Sequence, residues 1–399
     1  MPNPYAEIFQ VPGAKAFSAA GFVARLPQAM ITLGIVTMLS QTRGEYWLAG
    51  AVSATFALAN ALIAPRVSRL VDRHGQARVL LPASAVSVAA LAGLMLAARA
   101  GAPDWTLFLF AMVAGAMPAI SAMVRARWTE LYRDTPKLHT AFAFESVVDE
   151  MIYMTGPVLA IGLSVAVFPE AGPLAAAVLL AAGTLLFAAQ RSTEPPVHAA
   201  EAGGGAAVIR LGSLRVIVLT LVAIGAIFGT AEVTAIAFAE AQGQKAAASL
   251  VLASYAAGSL IAGLVFGTLK PRMPLAGQFV LAIGLAMLTT LPLLIVGSIP
   301  ILAVVLFLAG AAVSPTIIIS MGLIERLVPP SQLTEGITWA MTGIGIGVAF
   351  GSSASGWVID TFGAHNGFWV SVASGALALA IALLGQHRLL VRTPVPAAA

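Results

Sequence analysis

Cysteine is absent from these 399 residues, which excludes disulfides, thiolate metal sites and cysteine nucleophiles. Charge is nearly as scarce. Asp, Glu, Lys and Arg make up 10% of the chain against 59% hydrophobic residues, and mean hydropathy is +0.94. No glycine-rich run ends in Gly-Lys-Ser or Gly-Lys-Thr, so the phosphate cradle that ATP-driven proteins need is missing. The five histidines, His74, His139, His198, His365 and His387, fall in loops or at the ends of apolar segments. No nucleophile–base constellation or metal cluster forms around them, so neither an enzyme nor a resident metal or cofactor is expected.

What the chain has in abundance is long apolar runs. A membrane-spanning helix needs about 20 mostly apolar residues, and twelve stretches qualify: 16–40, 46–68, 78–98, 104–126, 140–168, 171–190, 213–239, 246–269, 275–297, 300–324, 333–360 and 364–386. Only helices or closed barrels satisfy their backbone groups in lipid, and barrel strands alternate polar and apolar over about 10 residues. Continuous runs therefore predict an all-α membrane protein. With the N-terminus in the cytosol, every Lys and Arg lies in an inner segment except Arg43, Arg99 and Lys245 in outer loops and Arg25 within the first span. By the positive-inside rule this predicts a multi-pass protein of the inner (plasma) membrane with both termini cytoplasmic. The pI near 9.7 is then explained by anionic lipid head groups at the inner loops, and no nucleic-acid partner is expected. Residues 1–14 are polar and Arg25 interrupts the following run, a pattern unlike a cleaved signal peptide.

Residues 191–212 break the pattern with Arg191, Glu194, Pro195, Pro196, Glu201 and a triple glycine at 203–205, the composition of a flexible cytosolic linker. The chain divides into six-helix bundles at 1–190 and 213–399. The halves also match each other: at an offset of 195, Gly115 falls on Gly310, Glu130 on Glu325, Gly156 on Gly351 and Gly172 on Gly367. A repeat of six spans keeps its topology, so the two bundles are expected to be parallel copies about an axis along the membrane normal.

The loop after the second span reads Ser68-Arg69-Leu70-Val71-Asp72-Arg73-His74-Gly75-Gln76-Ala77-Arg78. It resembles the signature loop of the major facilitator superfamily, with Ser68 in place of the usual leading glycine. The equivalent loop of the second half, Lys270-Pro271-Arg272, lacks the acid. The resemblance implies the major facilitator fold, transport by alternating access, and a gating role for Asp72, Arg73, Gly75 and Arg78. Physically, Asp72 can accept hydrogen bonds from a helix N-terminus, whose dipole favours a carboxylate. Thr155-Gly156-Pro157 in the fifth span resembles the core of a motif of the family's drug:proton antiporters, although Ile152 and Ala160 stand where glycines occur in that motif. Gly156 and Pro157 are thereby implied in close, leak-tight packing.

A charge at membrane depth costs roughly 2.5–3.5 kcal/mol on insertion scales and normally faces a cavity or a partner. Such charges are Arg25, Glu145, Asp149, Glu150 and Glu232, with Arg125 and Arg127 near the inner end of the fourth span. None has a charged twin in the other half, which favours a chemical over a packing role. Arg125 and Arg127 are expected to pair with Glu145 as a charge relay. Asp149, deeper and less well paired, is the first choice for a proton carrier, with Glu232 second and Glu145 third. Arg25 either snorkels to the inner interface, which its depth favours, or anchors a carboxylate, that of a substrate or of Asp149. Met30, Glu150, Met154, Trp339 and Met341 are expected to line a substrate cavity beside it.

Together these features predict a monomeric secondary transporter driven by the proton gradient, without a cofactor, whose partners are protons, a small-molecule substrate and the bilayer. Export of small apolar or amphiphilic molecules is the leading expectation. Uptake of a small anionic nutrient is the alternative, and a non-transporting sensor or assembly protein stands further behind.

Overall fold

The computed structural model describes residues 4–44, 46–197, 208–244, 247–269 and 271–390. Among them are helices and turns and no strand. The helices are α1 (Pro4–Glu7), α2 (Ala14–Thr42), α3 (Tyr46–His74), α4 (Gln76–Arg99), α5 (Asp104–Ala114), α6 (Ile120–Tyr132), α7 (Pro136–Ala166), α8 (Ala171–Ala189), α9 (Gly212–Ala241), α10 (Ala247–Phe266), α11 (Leu275–Thr290), α12 (Ile299–Leu327), α13 (Leu333–Phe362) and α14 (Phe368–Leu389). Eleven helical segments are long and apolar enough to cross a bilayer. At about 1.5 Å per residue, the 29 residues of α2 run to roughly 43 Å, more than a hydrocarbon core of about 30 Å. Helix ends therefore carry polar residues past the lipid.

The fourth span differs from the expected 104–126. It is broken into α5 and α6 by Gly115–Ala119 and continues to Tyr132. Prolines 27, 65, 82, 157 and 315 all lie inside unbroken helices. At Pro118 the chain opens instead, because the residue before a proline is pushed out of the helical region and a neighbour accepts the consequence. The Asn60 side-chain amide on α3 donates to both Gly115 O and Met117 O at 3.1 Å. An opened helix at membrane depth needs that replacement for its lost backbone bonds.

The chain forms two compact units, Met1–Ala141 with Val148–Gly204, and Phe142–Val147 with Gly205–Ala399. In the first, α2 packs on α8, α3 and α6, α4 packs on α8 and α5, and α3 packs on α5. The second repeats this plan: α9 packs on α14 and α13, α11 on α14 and α12, and α10 on α12. The glycine pairs seen in the sequence mark equivalent crossings. A Cβ on Gly115 would strike Ala59 and Asn60, and one on Gly310 would strike Tyr255 and Ser259. Gly156 abuts Ala29 where Gly351 abuts Ala226, and Gly172 meets Ser164 where Gly367 meets Ile359. Small residues let backbones touch at these points, so the internal repeat is a repeat of helix contacts.

Two expectations change at the periphery. Trp128, close to the end of the fourth span where a tryptophan usually anchors at the interface, is instead fully buried, edge-on to Phe9 and Phe17 and stacked on Tyr132. The Tyr132 hydroxyl donates to Ile8 O at 2.8 Å, tying the segment before α2 onto α6. The 191–212 stretch, expected to be flexible, is held at both described ends, with Thr193 and Val208 buried; residues 198–207 lie outside the described residues.

Asn60→Leu leaves the carbonyls of the break without their donor and is expected to lower stability by about 1–3 kcal/mol. Thermal unfolding in detergent checks this; a midpoint equal to wild type contradicts the bracing role.

Candidate functional site

The break in the fourth span sets the depth of its charged residues. Because α6 runs on to Tyr132, Arg125 stands seven residues before the helix end, about 10 Å deeper than a span ending at 126 would put it. There it meets Asp149, near the middle of α7. Arg125 Nη2 donates to Asp149 Oδ2 at 2.7 Å, and Arg25 Nη1, from α2, donates to Oδ1 at 2.9 Å. The Ser121 hydroxyl, in the first turn of α6, donates to Oδ2 at 3.4 Å. The side chains of Arg25 and Arg125 are 1% and 0% exposed, that of Asp149 20%.

Each arginine is oriented by its own helix. Arg25 Nε donates to Gly21 O at 3.1 Å, and Arg125 Nη1 donates to the Ser121 hydroxyl. Charge-assisted bonds of this length are about twice as strong as neutral ones, and the start of α6 adds the positive end of a helix dipole beside the carboxylate. Tyr153, one turn beyond Asp149 on α7, is exposed, and its hydroxyl accepts from Gln28 Nε2 at 3.5 Å. The cluster is thus a buried pair of cations sharing one carboxylate, reachable at the carboxylate.

This pairing reverses the expected one. Arg125 serves Asp149 rather than Glu145, and Asp149, expected to be the less well paired acid, bonds to two arginines. Glu145 is fully buried on the stretch Phe142–Val147, which groups with the second unit. Arg25 does not snorkel; it turns inward to Asp149. Arg127 is no relay. It caps the C-terminus of α8, donating to Gln190 O at 2.7 Å, Phe187 O at 3.2 Å and Thr193 Oγ1 at 3.0 Å, with Nε on Gln76 Oε1 at 2.8 Å and its guanidinium 3.9 Å from the Phe187 ring centroid. Met30 is wholly buried in packing and lines no open cavity. Met154 is exposed, while Glu150, Trp339 and Met341 are half-buried, with the Trp339 indole donating to Glu335 at 3.4 Å. Glu232 lies on the exposed side of α9, between buried Ala231 and Ala235. Pro157 is accommodated inside α7, one residue past the Gly156–Ala29 contact.

The signature loop is built around a residue that the sequence did not single out. Asp72 ends α3 half-buried, with Arg73 and Arg78 exposed. The N-terminus of α4 is held by Glu194, whose Oε1 accepts from Ala77 N at 2.9 Å. Gly75, with φ 90° and ψ 155°, occupies a region essentially restricted to glycine, and a Cβ there would stand 3.2 Å from Glu194 Oε1. Gln76, fully engaged, links Arg127 to Met123 O. In the second unit Val208 N donates to Glu335 Oε1 at 3.3 Å, so a carboxylate pins each described flank of the 191–212 stretch. Ser121, Asn60, Gln76, Tyr153 and Glu194 were all missed as site residues. Gly115 and Pro118, three residues apart inside an apolar run, were the signal that could have exposed the first two.

Eleven helical segments long and apolar enough to cross a bilayer, in two units of similar helix plan, define a polytopic membrane protein. The chain belongs to the Major Facilitator Superfamily: the family model matches residues 17–300 and again 216–398. It is a transporter of small molecules, not an enzyme. No curated protein matches it. Among solved structures, a bacterial homologue of the iron transporter ferroportin in the outward-facing state superposes with TM-score 0.75 at 16% identity, over 94% of this chain and 100% of that one. The human organic anion transporter MFSD10 (TETRAN) gives 0.67 at 17% identity, over 96% and 100%. The transporter FucP in its outward conformation gives 0.70 at 14% identity, over 95% and 99%. At these identities the likeness is one of fold.

Removing Asp149 leaves two buried guanidiniums facing each other. Asp149→Ala is expected to cost about 3–5 kcal/mol, and more than Arg25→Ala, which leaves the Arg125–Asp149 pair intact; equal unfolding midpoints contradict this. Glu194→Ala removes the acceptor at the α4 N-terminus and is expected to cost about 1 kcal/mol and to speed proteolysis near 191–197. Unchanged cleavage argues against the pin.

Proposed function

We propose that the chain is a proton-coupled secondary transporter of small organic molecules, working by alternating access, in which Asp149 accepts and releases the coupling proton. The observation that carries this reading is the shared carboxylate. One acid at mid-span holds two buried arginines from α2 and α6 together. Adding a proton to it removes the bond between these helices and leaves like charges opposed; removing the proton restores it. A group whose charge decides how three helices meet is suited to bias a two-state equilibrium. Asp72, Arg73, Gly75 and Arg78 form the gate, and the placement of Lys and Arg orients both termini to the cytosol of a plasma-membrane monomer. The proton gradient supplies the energy, with no bound cofactor.

Two directions were open from the sequence. Export of apolar molecules is supported by the Gly156-Pro157 motif, whereas Met30, one of its expected apolar contacts, is sealed in packing. Co-transport of a small anion is supported by Arg25, which faces a carboxylate. The second agrees better with the geometry.

Proteoliposomes loaded with a pH-reporting dye test the coupling. In a panel of small organic acids and neutral amphiphiles, at least one solute is expected to drive proton movement through wild type and Asp149→Glu, and none through Asp149→Asn. Solute-driven proton movement that persists in Asp149→Asn rules Asp149 out as the carrier.

A further inference from the structure

The side chain of Asp149 shows what the two arginines can hold. Arg25 Nη1 and Arg125 Nη2 reach the two oxygens of one carboxyl group, at 2.9 and 2.7 Å, from different helices. A third donor, the Ser121 hydroxyl, stands at the first turn of a half-helix whose positive end points into the span. Both guanidiniums are buried, whereas the carboxyl group itself is one-fifth exposed, with Tyr153 and Gln28 beside it. A carboxylate arriving from solution finds its binding geometry already built, and occupied by a tethered competitor.

We propose that Arg25, Arg125 and Ser121 form a substrate site for a monocarboxylate, and that the substrate carboxylate enters by displacing Asp149 as Asp149 takes up a proton. This inference rests on Asp149 being the proton-carrying group. The charges balance. Two guanidiniums and the Asp149 carboxylate sum to +1 before binding. Two guanidiniums, the substrate carboxylate and a neutral Asp149 sum to +1 afterwards. The proton comes from solvent and ends on the displaced Asp149 oxygen. One proton and one monoanion therefore bind together, which makes the cycle electroneutral co-transport rather than exchange. The other ionisable groups within about one turn of Asp149 on α7 are Glu145, Glu150 and Tyr153. A neutral isostere such as an amide cannot replace the carboxylate, since it would leave Asp149 in possession of both arginines.

The experiment uses the full chain in lipid nanodiscs with four probes: acetate, lactate, benzoate and octanoate, each against its amide. Calorimetry in two buffers of different ionisation enthalpy reads affinity and proton uptake together. At least one carboxylate is expected to bind wild type more tightly as pH falls, with about one proton taken up per ligand, while its amide does not bind. Arg25→Gln and Arg125→Gln are each expected to weaken binding at least about tenfold. Asp149→Asn is expected to bind the carboxylate with no proton uptake and no pH dependence. Carboxylate binding without proton uptake in wild type, or with unchanged affinity in both arginine variants, overturns the inference, and the wild-type reading stands even where a variant folds poorly. If no carboxylate binds either wild type or Asp149→Asn, this site is wrong. The proton role of Asp149 survives that result if the pH dependence of the wild-type unfolding midpoint disappears in Asp149→Asn.

Discussion

Two guanidiniums buried in an apolar bundle must be compensated, and the carboxylate of Asp149 bonds to both. That constraint explains features of the first unit that otherwise look unrelated. The fourth span is broken so that Arg125 and the start of α6 lie at mid-depth. Asn60 is polar at a helix crossing because the break exposes carbonyls there. Ser121 is polar because it completes the contacts of Asp149 and Arg125. Such an arrangement contributes little net stability, since desolvation of the ions offsets much of their attraction. In the proposed function its value lies in being reversible by one proton.

The second unit shows the same helix plan without this chemistry. Positions equivalent to Arg25, Arg125 and Asp149 are near Ala226, Ser320 and Ile344. The twin of the broken span, α12, runs unbroken over 29 residues, and its crossing with α10 is closed by Gly258 and Gly310 in place of an asparagine. The two copies of the scaffold thus differ: the first carries the buried Arg25–Asp149–Arg125 charges, and the second keeps tight, glycine-lined contacts. Glu194 and Glu335 tie the described ends of the intervening stretch to their respective units.

Much of the scaffold was legible in the sequence because bilayer thickness and hydropathy act locally and strongly. The glycine pairs were visible for a related reason: close helix approach permits few other residues. Partner choice among the charges was not legible, since it depends on the depth of Arg125, and that depth depends on a break at Pro118 hidden inside a continuous apolar run. Arg25 was weighed by the same route: anchoring the Asp149 carboxylate was one of its two readings, and the depth assumed for it favoured the interface. Glu194 lay in a Pro-rich stretch whose composition suggested slack chain, and nothing local indicated that it would reach the start of α4. The function as a carrier follows from family and fold. The proposed coupling and substrate rest on three side chains whose meeting is a tertiary event.

Infrared difference spectroscopy on the protein in lipid, stepped between neutral and mildly acidic pH, observes the proposed event itself. A protonated-carboxyl band should appear on acidification in wild type, shift in Asp149→Glu and be missing from Asp149→Asn. A band that remains unaltered in Asp149→Asn would place the proton on another group and contradict the role assigned to the Arg25–Asp149–Arg125 cluster.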